Sequence, residues 1–227
     1  MKKEHKPYEG HHKRLRESFE KSPESLSDHE VLELLLTYII PRRDTKPQAR
    51  EMLKQFKSFS RALDAKPDRI REIDGMGEKS ALFFSVMREA MRRYYLERVK
   101  KKDVLKSPED VVNYCRAALE SEDYETFHVL FLTARNTVIS AENLFRGTTD
   151  RTQVHARNIL KKALEKNATG LIFVHNHPSG ETSPSKEDEI LTAELTKAAA
   201  TMNITVHDHV IVGKGGHFSF RTAGMLK

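Results

Sequence analysis

The stretch LIFVHNHPSGETSPSKEDEILT, residues 171–192, concentrates residue types that do chemistry. His175 and His177 lie two apart at the end of the apolar run LIFV, which reads as a buried strand, so both imidazoles project to one side. Pro178, Ser179 and Gly180 turn the chain away. A helix then opens at Ser185 with Asp188 in its first turn, from which a carboxylate can swing back to the strand end. Two neutral imidazole nitrogens and one carboxylate oxygen leave the fourth tetrahedral position for water, the arrangement of a catalytic zinc. The chain has a single cysteine, Cys115, so no thiolate cluster competes for a softer metal. The same residues have a plainer explanation. Ser185-Lys186-Glu187-Asp188 is also a helix capping box, and paired histidines also occur as polar residues at strand ends. The residues alone leave both readings open.

These side chains need a scaffold, and the pattern after residue 107 alternates α and β. Ser107-Pro108 starts a helix containing VVNYCRAAL, in which Cys115 is expected as a buried structural thiol. Glu125 to Leu132 reads as a strand and Ala134-Arg135-Asn136 as a turn into a second, beginning TVIS. Val154 to Lys166 and Ser185 to Met202 are helical, Ile204 to Val212 is a strand, and a hairpin at 213–216 leads to a last one. Within VHDHVIVG, His207 and His209 repeat the H-x-H spacing without an acid at helix distance. For Asp208 and His209 the expectation is a role in the fold or in orienting a ligand, not a second metal.

The first hundred residues read instead as helices. Ser27-Asp28-His29-Glu30 caps the run Val31 to Ile40, a second helix covers about Pro47 to Phe56, and Pro67 starts a short one. The Gly75-Met76-Gly77 hairpin precedes a long helix to about Tyr95, and the charged segment 98–107 reads as a linker. His5, His11 and His12 fall in what reads as a mobile arm able to bind metal only loosely.

Apolar residues make up 38% and charged residues 32% of the 227, which excludes wholesale disorder and a membrane protein. No signal-peptide pattern opens the chain, and a lone cysteine fits a reducing compartment, so the expected location is cytoplasmic. Residues 1–102 carry 25 Lys and Arg against 17 Asp and Glu, while 103–227 carry 14 against 16. The basic half points to an anionic partner, or to a solvated helical surface.

His-x-His-Pro, six residues, Ser, two residues, Asp matches the metal signature of the JAB/MPN (JAMM) metalloprotease family. The longer string HNHPSG…PS..D, with ESLSDHEVLELLL, IDGMGEKSA, LFRGT and DHVIVG, resembles the RadC-like branch, whose members are named as DNA repair proteins. The resemblance implies an α+β fold: a three-layer α-β-α JAB/MPN-type domain at 105–227 after a small all-α, helix-hairpin-helix-like domain at 1–100. It implies one zinc per chain on His175, His177 and Asp188. By position, Glu125 becomes the general acid/base on the zinc-activated water, and Ser185 the residue that hydrogen-bonds the oxyanion. Ile73-Asp74-Gly75-Met76-Gly77-Glu78-Lys79 resembles the backbone-binding hairpin of helix-hairpin-helix domains, with Gly75, Gly77 and Lys79 against DNA or RNA phosphates. Two positions depart from relatives: Thr133 stands where many have Asp, and Asn158 where many have Glu. The expected activity is hydrolysis of an amide or isopeptide in a peptide or protein substrate. A metal-dependent nuclease or DNA-repair accessory protein is the first rival, and a non-catalytic nucleic-acid-binding scaffold with a zinc site the second.

Overall fold

The computed structural model describes residues 7–41, 43–106, 108–119, 122–147, 155–214 and 216–226. His5, the expected cap Ser107, Thr148 and Val154 lie outside them. The chain divides into two compact units, 1–90 and 91–227. Among the described residues no helix is long and apolar enough to cross a membrane.

The first unit is helical: α1 (Pro7–Lys21), a 3-10 turn, α2 (Asp28–Ile39), α3 (Lys46–Phe56), α4 (Phe59–Leu63), α5 (Pro67–Arg71) and the start of α6 (Glu78–Lys100). The expected capping box is present: Glu30 accepts from the Ser27 backbone amide at 2.9 Å. Leu32, Leu36, Met52, Ile70 and Phe84 form its core, each fully buried. The supposed arm is instead regular structure, since His11 and His12 lie on α1. Its sequence hides this, because among the described residues of that helix only Leu15 is buried and the apolar periodicity is weak.

In the second unit β1 (Glu125–Leu132), β2 (Val138–Gly147), β3 (Gly170–Asn176), β4 (Thr205–Gly213) and β5 (Gly216–Ser219) form one mixed sheet in the order β2-β1-β3-β4-β5. Only β3 and β4 are parallel. On one face, α7 (Pro108–Leu119) and the end of α6 cover Leu130, Leu132, Ile172, Val174 and Val210. On the other, α8 (Ala156–Glu165) and α9 (Lys186–Ala200) cover Phe127, Val129, Phe131, Leu171 and Phe173. The period-two alternation of β1 and β3 thus fills two cores. Burying each such side chain contributes about 1.5–3 kcal/mol. The segment that read as a linker, 98–107, carries Val99 and Val104, both buried in the first of these cores. Cys115 is buried there too, and burial first, then nearby Asp208, push its thiol up, away from reactivity.

One irregularity in β4 matters for the site. Leu171 pairs with Val206 but Ile172 pairs with Asp208, so His207 is an extra residue, a β-bulge. A bulge reverses which side chains face which way beyond it. Val206 packs on the α8/α9 face, and after the bulge that face receives His209, while Val210 goes to the other.

Candidate metal centre

Three elements converge where β3 ends. β3 supplies His175, the residue just beyond it is His177, and the N-terminus of α9 supplies Asp188; His175 and Asp188 are each 2% exposed. His175 Nε2 and His177 Nε2 are 2.9 Å apart, His175 Nε2 is 3.3 Å from Asp188 Oδ1, and His177 Nε2 is 3.5 Å from Asp188 Oδ2. Ligand atoms at about 2.0–2.1 Å from a tetrahedral zinc lie about 3.3 Å from one another. The three separations bracket that value, and the donor set fits the ion. Glu125, at the start of β1, completes a group whose ligand atoms lie within 4.8 Å of one another.

The rings are held so that Nε2 of each faces the other and Asp188. His177 Nδ1 lies 2.9 Å from the Glu181 carbonyl, so that nitrogen donates and Nε2 is turned to Asp188. His175 Nδ1 lies 2.8 Å from His209 Nε2, and His209 Nδ1 lies 2.6 Å from Thr192 Oγ1. The Thr192 hydroxyl donates in turn to the Asp188 carbonyl at 2.5 Å. Burial, above all else, pushes the His209 imidazole down to about 3, so it is neutral with one N–H to give. Since Thr192 spends its hydrogen on Asp188, His209 donates to Thr192 and accepts from His175. The chain runs one way, and it turns His175 Nε2 toward His177 and Asp188.

Ser185 is the N-cap of α9. Its amide and hydroxyl donate to Asp188 Oδ2 at 2.8 and 2.6 Å, and its oxygen accepts from the Asp188 amide at 3.2 Å. Burial pushes the Asp188 carboxyl up, but the His177 hydrogen bond, the facing His175 and the Ser185 hydrogen bonds outweigh it and hold the group well below the usual carboxylate range. The Asp188 hydrogen bond raises His177 above its ordinary value against the effect of burial. A positive charge is therefore favoured among these groups, and capping box and ligand geometry coexist in the same residues.

Glu125, His175 and Asp188 line a cleft of about 820 Å³, together with His155, Arg157, Asn158, Glu187 and Glu194 among others. Of the two departures, Asn158 lies on this cleft. Thr133 does not: it follows the opposite end of β1 from Glu125, where its hydroxyl accepts from the Arg135 and Thr137 amides at 3.2 and 3.3 Å and shapes the β1–β2 turn. Asp208 stays with the fold, accepting from the Ser219 hydroxyl at 2.6 Å and the Arg221 amide at 3.0 Å. His209 orients a candidate ligand. Thr192 escaped the sequence reading, although its place four residues after Asp188, on the same helix face, was the available signal.

The Gly75-Met76-Gly77 hairpin lies in the first unit, away from this cluster in sequence. Gly75 has φ +77°, a conformation that favours glycine, and a Cβ there would meet Gln48 Nε2 at 2.8 Å. Gln48 donates to the Asp74 carbonyl at 3.0 Å and Met76 is buried, so the hairpin is also a packing element. Gly77 faces open space and Lys79 is exposed.

An H-x-H at the end of an inner strand, answered by an acid one turn into the next helix over a mixed sheet, defines a JAB-type α+β domain whose side chains can hold a metal ion. Residues 105–225, more than half of the chain, match the family model of the RadC-like JAB domain, and the chain belongs to that family.

Proposed function

We propose that this protein is a zinc-dependent hydrolase of amide bonds, isopeptides included. The observation that carries the reading is the meeting of Glu125 with His175, His177 and Asp188, three of which line a cleft large enough for a peptide segment. A zinc ion would be held by the two Nε2 atoms and Asp188, and would supply Lewis acidity and lower the pKa of water there. Glu125 is placed to act as the proton carrier, accepting a proton from the attacking water and giving one to the leaving amine. Asp188, His175 and His177 are fixed for this transfer because Ser185, Glu181 and His209 hold them. The one hydrogen of the Ser185 hydroxyl is given to Asp188, so Ser185 acts first as a positioning residue; steadying an oxyanion requires that hydrogen to be released. The described lining carries Glu125, Glu187, Asp188 and Glu194 against Arg157, a charge balance that repels phosphodiesters and speaks for a peptide over a nucleic-acid substrate. The test is metal removal and return. Peptide or isopeptide cleavage should vanish on dialysis against a chelator and come back with about one equivalent of zinc at this centre. Cleavage that persists undiminished in protein shown by elemental analysis to be zinc-free would sink the reading.

We also propose that residues 1–100 touch nucleic-acid backbone through Gly75, Gly77 and Lys79. Glu78, which follows Gly77, is paired with Arg71 at 3.1 Å, and Lys79 is exposed beside the open Gly77. Binding should be weak, independent of sequence and steeply reduced by salt. Gly77→Asp adds a side chain where there is room, so full-length Gly77→Asp and Lys79→Glu proteins should stay folded and lose affinity in fluorescence anisotropy. Unchanged affinity in both variants removes the hairpin from the interface.

A further inference from the structure

The first unit contains a fully buried carboxylate faced by two histidines. Glu33, on α2, is 0% exposed, and among the described residues neither of its carboxylate oxygens accepts a hydrogen bond. Unsatisfied buried carboxylates are costly, and native structures pair them or give them to a metal. Around Glu33 stand further groups with ligand chemistry. His11 Nε2 is 2.8 Å and His12 Nε2 4.0 Å from Glu33 Oε1, both presented by α1. The Thr45 hydroxyl, itself buried, donates to the Glu33 carbonyl at 3.2 Å and brings the neighbouring Asp44 to the same place. Ligand atoms of His12, Glu33 and Asp44 lie within 4.8 Å of one another.

We propose that His12, Glu33 and Asp44, with His11 beside them, form a second metal site that fastens α1 to the helical unit. Imidazole and carboxylate donors without thiolate suit zinc or a cation of similar hardness. Zinc ligands stand about 3.3 Å apart, so loading draws these side chains together by roughly 1 Å. The fold has a use for it. Leu15 is the one buried residue among those described on α1, so apolar packing alone holds this helix weakly. A cation shared by α1, α2 and the α2–α3 loop supplies the missing attachment and satisfies Glu33 in one step.

The inference does not rest on the hydrolase reading, and zinc counting on tag-free, full-length protein separates the two. Wild type should hold about two zinc ions per chain, His177→Ala about one, Glu33→Gln about one, and the double variant none. In the His177→Ala background, zinc should raise Tm by roughly 4–8 °C and slow tryptic cleavage after Lys13 and Arg16. Both effects should disappear with Glu33→Gln. Should Glu33→Gln not fold, Asp44→Asn, at an exposed position, reads the same outcome. Wild-type zinc content retained by both Glu33→Gln and Asp44→Asn overturns the second site, as does a wild type with one zinc that His177→Ala removes entirely. Two ions retained in His177→Ala but one lost in Glu33→Gln leaves this site standing and rejects the other.

Discussion

Glu125→Gln is expected to leave zinc content unchanged and to slow amide hydrolysis by roughly 10²–10⁴, the usual contribution of a positioned general acid/base. The amide keeps the shape and hydrogen-bonding capacity of the side chain and removes only its basicity. Glu125 is only partly buried, at the start of β1, so the change creates no cavity in either core. Cleavage should be followed beside a metal assay, since a fall in both quantities would mean that Glu125 is a ligand. An active wild type whose Glu125→Gln variant hydrolyses at the same rate takes Glu125 out of the proton transfer. A non-catalytic scaffold would show no hydrolysis in either protein.

Asp188→Asn should behave differently, lowering zinc affinity by at least about 10²-fold as well as the rate. Asparagine retains one oxygen that can accept from the Ser185 amide and hydroxyl, so the cap of α9 is largely kept. What is lost is the negative charge that faces His175 and His177 at 3.3 and 3.5 Å. Competition with a chromophoric chelator reads the affinity, and thermal melting of the zinc-free proteins reads the fold. Equal zinc affinity in the two proteins would remove Asp188 from the ligand set.

Parts of this architecture were legible from residue order because the forces that set them are local. Ser27 to Glu30 and Ser185 to Asp188 are three-residue spacings closed by hydrogen bonds within one helical turn. The aromatic and branched run of β1 and the apolar run of β3 announced strands for a similar reason. The link from His175 to His209 was not legible. It depends on parallel pairing of strands 34 positions apart and on the His207 bulge, and neither leaves a local mark. α1 was missed because its attachment is polar, through His11 and His12, so the periodicity that reveals amphipathic helices is faint. α6 runs on to Lys100 because Val99 has a core to enter, which a lysine-rich tail does not disclose.

The order in which the chain supplies the candidate centre also bears on how it is built. Glu125 comes first, then His175, His177 and Asp188 within one strand–loop–helix unit, and His209 last, on β4. Closing so short a loop costs little entropy, whereas seating β4 beside β3 needs the whole of α9 to cross over first. During synthesis, three candidate ligands therefore leave the ribosome before His209, the residue that braces His175. Pairing of β4 with β3 is thus the step that completes the support behind the first candidate ligand.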